Sequence, residues 1–415
     1  MASSQQSGDI FIGPLSLSFS ASSPSLCASI KANDPIMTVS TRSSHVACHA
    51  VMVVAIDFDG TLYNAATQSL CQHSTVELRR LGAPLSGATM WSRRVVRVIA
   101  TGRPMVSLLR VTARETLPLD VAVPVDYVVV GSGSTIARWP SLEVVKQHVL
   151  DSRVAFLVAS FLIRRGLSFF AIRPHPHSHR SFFHRRRIPC PEAAAGGVDD
   201  FDARLALYPD SDDMTLDGAW MDRHRRYATT STTGHRPADN NLSDDDSVVQ
   251  FLVTDLVGIS GPLTVTETPP AADSAADSVV PAGGRAGTVE ELRDALRGEC
   301  AEQLGNASAL HVVRTRSPLN GRRTWAEIFP ASVSKSAAVA ELAEMHGVSQ
   351  HDTVAIGNDF NDLDMLRWAG KGCVVANAPH ELRREFESSH ATCGEGGVAE
   401  LLRRHCYGKP SDGKE

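Results

Sequence analysis

The chain has 415 residues, 43% of them hydrophobic and 6% aromatic, with 41 Lys+Arg against 46 Asp+Glu, a globular composition long enough for two compact units plus tails. A formal net charge of −5 excludes a general pull toward nucleic acid or anionic lipid, so a charged ligand must be held by a local site. The 8 cysteines form no C-x-x-C pair, against a zinc ribbon or a redox dithiol motif, and no apolar run approaches the ~20 residues of a membrane-spanning helix.

Residues 1–50 hold 13 serines, two acidic residues (Asp9, Asp34) and two basic ones (Lys31, Arg42), with no helix or strand period. This segment is expected to be disordered and outside the core. Its Ser-rich, acid-poor opening fits an organellar transit peptide, plastid over mitochondrial; without one, a cytoplasmic protein is expected.

At residue 51 the texture changes. Residues 51–56 form a continuous apolar run ending on Asp57, the pattern of a strand buried on both faces. Mainly apolar runs at 95–100 (broken by Arg97), 127–130, 353–356 (opening on Thr353) and 373–376 end on Thr101-Gly102-Arg103, Gly131-Ser132-Gly133, Gly357-Asn358-Asp359 and Asn377. Helical stretches lie between them, such as 335–346, with Val339, Leu342 and Met345 on one face and Gly347 as its stop. Strands alternating with helices predict an α/β class, a Rossmann-like doubly wound parallel sheet with ligands at the carboxyl ends of its strands.

Residues 142–322 break this rhythm. A helix is predicted over 149–165, strands over 167–172, 248–255 and 310–315, and a helix over 289–303, with a further strand at 324–329. That inventory suits an α+β cap inserted into a core split between 51–141 and 323–415. Two biased stretches, 173–246 and 261–287, read as loops or disordered insertions. The first carries a basic tract (His175, His177, His179, His184, Arg180 and Arg185 to Arg187) and acidic clusters around Asp199, Asp212 and Asp244; no zinc spacing is present, and solvated insertions are the simpler account.

The chemistry concentrates at the strand ends. Asp57 and Asp59, one residue apart after a buried strand, repel each other and resist ionisation unless a cation relieves both effects; a hard divalent ion such as Mg²⁺ suits oxygen ligands. Thr101 and Gly102 can hold a phosphate oxygen. Lys335 sits at a helix start, where a cation is disfavoured unless an anion lies nearby, and a bound phosphate would supply one. Asn358, Asp359, Asn361 and Asp362 place further oxygen ligands at another strand end.

In order, Asp57 to Thr61, Thr101-Gly102-Arg103, Lys335 and Gly357 to Asp362 resemble the four motifs of the haloacid dehalogenase superfamily, in its Cof-type branch with the cap between the second and third motifs. Flanking text agrees: Ala326-Glu327-Ile328-Phe329-Pro330 before Val333-Ser334-Lys335, Asn361-Asp362-Leu363-Asp364, and Gly394-Glu395-Gly396-Gly397. The resemblance implies an Mg²⁺-dependent phosphoric monoester hydrolase acting on a small phosphorylated metabolite through an aspartyl-phosphate. Asp57 would be the nucleophile and Asp59 the acid and base; Thr101, Gly102 and Lys335 would bind phosphate. Asp57, Asp59, Asn358, Asp359 and Asp362 would supply the metal shell, and Arg103 and Asn361 are candidate substrate contacts. Two departures stand out. Asn358 occupies the family's usual Asp position, and Gly131-Ser132-Gly133-Ser134 replaces a common Asn-Gly pair. The alternatives are a sugar phosphomutase on the same scaffold and a non-catalytic relative with a partner-binding cap.

Overall fold

The computed structural model describes residues 51–82, 94–112, 123–176, 181–185, 212–216, 218–230, 247–254, 256, 287–317 and 323–407. The serine-rich 1–50 segment, nearly all of 261–287 and most of the His/Arg and acidic tracts lie outside the described residues.

The chain opens with β1 (Val51–Ile56), the hairpin β2 (Tyr63–Asn64) and β3 (Ser69–Leu70), α1 (Gln72–Gly82), β4 (Arg94–Ala100), α2 (Met105–Thr112), β5 (Tyr127–Val130), β6 (Thr135–Arg138) and β7 (Val144–Gln147). The middle follows as α3 (Ser152–Arg164), β8 (Phe169–Ile172), β9 (Ser181–Arg185), β10 (Asp212–Thr215), α4 (Gly218–Thr230), β11 (Gln250–Val253), α5 (Val289–Leu304), β12 (Leu310–Arg316) and β13 (Thr324–Pro330). It closes with α6 (Lys335–Met345), β14 (Thr353–Gly357), α7 (Leu363–Trp368), β15 (Lys371–Val374), α8 (His380–Glu385), β16 (Glu387–Ser388) and α9 (Gly397–His405).

The first sheet has eight strands in the order β16-β15-β14-β1-β4-β5-β6-β7. It is parallel from β16 to β5, and β6 and β7 continue it antiparallel. Strand β1 lies inside it and feeds two cores. Met52, Val54 and Ile56 pack with Leu78 of α1, Leu108 of α2 and Leu401 of α9. Val53 and Ala55 pack with Val339 and Leu342 of α6 and Met365 of α7. Burial on both faces explains why this strand is apolar without alternation. Strand β15 starts two residues before the apolar run that predicts it, because Gly372 lets the strand pass the Leu366 carbonyl, where a Cβ would stand at 2.2 Å.

The second sheet has the order β10-β9-β8-β11-β13-β12 and is antiparallel except between β9 and β10. Its two faces do different things. Phe169, Phe251, Ala326 and Ile328 bury against Phe161 of α3 and Leu292 and Leu296 of α5. On the other face Phe170, Ile172, Leu252 and Trp325 meet Val106 of α2, which turns the cap sheet onto the core beside the second motif. Alternation along β13 (Trp325 and Glu327 against Ala326 and Ile328) follows from this two-faced role.

Two features differ from the sequence expectation. Strand β7, inside the stretch expected for the cap, extends the core sheet, while β13, from the strand counted with the cap, lies between β11 and β12 in the cap sheet although it falls past the expected boundary at 322. Within 173–246, read as loop, stand β9, β10 and α4. The fully buried Trp220 of α4 stacks on His224 at 3.7 Å between centroids and joins the α3 core. A polar-rich stretch hid that single apolar stripe.

Candidate active site

The polar strand ends of β1, β4 and β14 converge with the start of α6. Asp57 is 3% exposed, and its backbone N–H donates to the Ile356 carbonyl at 2.8 Å, which fixes the end of β1 against β14. Its Oδ1 accepts from Lys335 Nζ at 2.6 Å and its Oδ2 from Thr61 Oγ1 at 3.1 Å. Lys335, 1% exposed, also donates to Asp362 Oδ1 at 2.6 Å. The other Asp362 oxygen accepts from the backbone N–H groups of Asn358 (2.9 Å) and Asp359 (3.1 Å). That fold-back requires Gly357, where a Cβ would stand 2.6 Å from Asp362 Oδ2. The anions that balance Lys335 at its helix start are thus two carboxylates of the protein itself.

One buried ammonium between two buried carboxylates leaves an excess negative charge. Burial would lower the Lys335 pKa, but Asp362 and Asp57 outweigh it and hold the group well above the ordinary lysine range. The ammonium therefore stays charged, and the excess falls on Asp57. Burial, reinforced by Asp362, pushes the Asp57 carboxyl up to about 7, against the pull of Lys335. A carboxyl that binds its proton more tightly when folded than when unfolded stabilises the fold at low pH and loses that contribution as pH rises through its folded pKa. The metal-free protein is therefore expected to be less stable at about pH 8 than at about pH 5.5, with the loss spread between roughly pH 4 and 7. Thermal unfolding in chelator should show this slope for the wild type and lose it in Asp57→Asn; an unchanged slope in that variant contradicts the assignment.

The Asn358 amide meets this cluster. The amide atom nearest Asp57 lies 2.9 Å from the Asp59 main-chain carbonyl and 3.1 Å from Asp57 Oδ2. Nitrogen at that position donates to both; oxygen there accepts from Thr61 Oγ1 at 3.0 Å and, with Asp57 Oδ2 and the Asp59 carbonyl, makes a three-oxygen set that suits a hard divalent cation. Gly60, at φ +77°, makes this approach possible, since a Cβ would stand 2.3 Å from Asn358 Nδ2. Asn377 secures the same loop, donating from Nδ2 to the Gly60 carbonyl at 2.8 Å. The Asp359 carboxylate accepts from Phe360 N–H at 2.8 Å and caps the turn 360–362. Asn361 lies half-buried on that turn.

Thr101 is 1% exposed, and its Oγ1 accepts from Arg103 N–H at 3.1 Å. Two backbone bonds stitch this turn to its neighbour: Ser132 N–H to the Thr101 carbonyl and Gly131 N–H to the Arg103 carbonyl, both 2.9 Å. Gly131, Ser132 and Gly133 all have positive φ (54°, 52° and 112°), a left-handed run that explains the Gly-rich text there. Ser132 Oγ donates to Glu327 Oε2 of β13 at 3.1 Å, so a cap carboxylate reaches the second motif. Sequence reading left Glu327 and Ser132 without a role; the signal was the Glu327 charge in an otherwise apolar strand. Arg103 turns to Asp59, donating from Nε to Oδ2 and from Nη2 to Oδ1, each at 2.6 Å.

Among the described residues one further group, Cys373, Glu387 and His405, has metal-ligand proximity. Its charges are already spent: Glu387 pairs with Lys371 at 2.6 Å and Arg404 at 3.3 Å, and burial pushes the Cys373 thiol up to about 12.

Residues 284–402 match the sequence profile of the haloacid dehalogenase-like hydrolase family. Among curated relatives, the 5-amino-6-(5-phospho-D-ribitylamino)uracil phosphatase YitU of Bacillus subtilis is 28% identical over 131 residues, 28% of this chain and 48% of that protein. The phosphoglycolate phosphatase of Methanothermobacter thermautotrophicus is 38% identical over 73 residues, 18% of this chain and 33% of that protein. The chain thus spans less than half the length of these relatives. A phosphatase of the haloalkanoate dehalogenase superfamily from Bacteroides thetaiotaomicron is similar in structure, with a TM-score of 0.54 at 17% identity over 88% of this chain and 97% of that one. A subclass IIB sugar phosphatase of the same superfamily gives 0.51 at 13% identity over 85% and 98%. The chain has the fold of the haloacid dehalogenase-like hydrolases, a Rossmann-like core with an inserted cap, and carries that family's sequence pattern over 284–402.

Proposed function

We propose that the protein is an Mg²⁺-dependent phosphatase that hydrolyses a small phosphorylated metabolite through an aspartyl-phosphate on Asp57. The observation that carries this reading is the buried Asp57 carboxylate held by Lys335 and Thr61, with Asp59 two residues on and Thr101 at the neighbouring strand end. An Asp57 oxygen attacks phosphorus, the ester P–O bond breaks, and Asp59 gives its proton to the leaving oxygen. Water then attacks the phosphorus of the acyl phosphate, Asp59 takes a proton from it, and the P–O bond to Asp57 breaks to release phosphate. A carboxylate nucleophile divides one difficult displacement into two, and one carboxyl serves as acid and then as base.

Lys335 neutralises charge on the transferring group, while Thr101 and Gly102 orient its oxygens. Asp57 Oδ2, the Asp59 carbonyl and the Asn358 amide oxygen would hold Mg²⁺, which supplies charge neutralisation for the phosphoryl group when bound. Asp362 holds Lys335 in place, and Asp359 shapes the turn. Curated relatives named as phosphatases of a phosphoribityl compound and of phosphoglycolate support a small phosphate ester as substrate.

Incubation with Mg²⁺ and a panel of sugar, nucleotide and cofactor phosphates tests the reading. Phosphate release is expected; no release from any ester contradicts it, and transfer between sugar positions in place of release would select a phosphomutase. A neutral amide at 358 contributes no charge to the metal shell. Asn358→Asp is therefore expected to bind Mg²⁺ more tightly by calorimetry and to be less stable without it, because a third carboxylate then joins Asp57 and Asp362. Unchanged affinity would remove Asn358 from the shell.

A further inference from the structure

Asp59 is the more exposed of the two catalytic carboxylates. Its side chain retains 35% of its surface, against 4% for Asp57. A carboxylate so open to solvent has little packing to hold it over the ester oxygen, yet proton delivery needs placement within a few tenths of an ångström. What holds it is Arg103. The guanidinium donates to both carboxylate oxygens at 2.6 Å, a fork-on-fork pair that fixes distance and plane together.

Arg103 is itself anchored on three sides. Nη1 donates to Ser107 Oγ of α2 at 2.9 Å. The Cζ atom lies 5.8 Å from the Phe58 ring centroid and 5.7 Å from that of Tyr63, and those two rings stack at 5.2 Å with a 5° interplanar angle. Phe58 is fully buried and Tyr63 is 4% exposed, so the guanidinium rests against a packed aromatic pair. The chain from α2 through Ser107 and Arg103 to Asp59 therefore ties the second motif to the first.

We propose that Arg103 is the positioning residue of Asp59: its fork holds the carboxylate in place, the Nη2 bond to Oδ1 opens when substrate enters, the freed Oδ1 takes a proton from solvent, and Asp59, still held through Oδ2 by Nε, passes that proton to the leaving oxygen. Arg103 acts through Asp59 in this proposal, in place of the direct substrate contact expected from sequence. The inference rests on the phosphatase reading above.

Leaving-group dependence separates the roles. A p-nitrophenolate leaves without a proton, whereas an alkoxide needs one. The test compares p-nitrophenyl phosphate with whichever of glycerol 3-phosphate, erythrose 4-phosphate and glucose 6-phosphate the wild-type protein hydrolyses fastest. Arg103→Gln is expected to lower kcat on the alkyl ester by about 100-fold or more, the scale of general acid catalysis, and on the aryl ester by less than about tenfold, with KM little changed on both. Adding guanidinium to Arg103→Ala should restore alkyl turnover selectively. Ser107→Ala, which removes only the anchor, should shift the alkyl-to-aryl ratio in the same direction by a smaller factor, and it keeps the question open to test if the Arg103 variants fold poorly.

Equal losses on both esters, or a raised KM with kcat intact, overturn the proposal, as does an unchanged ratio in Ser107→Ala. A wild-type protein inactive on every ester contradicts the phosphatase reading instead, so the two failures are distinguishable.

Discussion

Asp57→Asn is expected to abolish phosphate release, with a loss on the order of 10⁴-fold or more, because the variant has no oxygen nucleophile at the end of β1. The amide is close in size to the carboxylate, so packing is conserved, and Lys335 keeps Asp362 as its counterion at 2.6 Å. Removing one of two buried carboxylates that share a single ammonium also relieves excess negative charge. The variant should therefore unfold at a temperature equal to or above that of the metal-free wild type near pH 8. Steady-state kinetics and thermal unfolding on the same preparations check both halves. Retained turnover would exclude Asp57 as nucleophile, and a large fall in stability would show that its charge is needed for the fold.

Lys335→Met has the opposite profile. Methionine fills much of the volume of the lysine stem, but it leaves Asp57 and Asp362, 3% and 0% exposed, facing each other without a cation. Removing one partner of a buried ionic cluster costs roughly 3–5 kcal/mol, and urea unfolding without metal above neutral pH should show a loss on that scale. The double variant Lys335→Met with Asp57→Asn should recover part of it, since only one uncompensated carboxylate then remains. Activity is expected to fall as well, because no ammonium meets the phosphoryl group. A Lys335→Met protein as stable as the wild type would mean that the carboxylates are protonated or hydrated in a way that the 2.6 Å contacts do not describe.

Much of the core was legible in the sequence because burial on two faces leaves an unmistakable record. Residues 51–56 and 354–356 are apolar without interruption, so charged and small residues at their ends mark where the strands emerge. That pattern marks Asp57, Thr101 and the turn after Gly357 as strand ends. It could not locate α4, whose Trp220 and His224 are set among Arg and Asp residues, nor place the boundary between cap and core, because strand pairing is a long-range choice that local periodicity does not encode.

The site was legible as a set of residue types and less so as a set of contacts. Lys335 at a helix start signalled a nearby anion, and the anions turned out to be Asp57 and Asp362. Arg103 next to the Thr101-Gly102 pair signalled a ligand, yet its fork is spent on Asp59, 44 residues away in the chain. Asp359 looked like a metal ligand by composition, whereas its carboxylate caps the turn that delivers Asp362. Side-chain direction decides each of these cases, and it depends on turn geometry that glycines such as Gly60 and Gly357 permit.

The most direct test of the proposed chemistry is chemical trapping of Asp57. Borohydride added during turnover of p-nitrophenyl phosphate with Mg²⁺ reduces an aspartyl-phosphate to homoserine, which peptide mass spectrometry locates. Conversion at position 57, dependent on substrate and absent elsewhere, is the expected result; phosphate release with Asp57 unmodified, or with the label on another residue, would contradict an aspartyl-phosphate mechanism at this site.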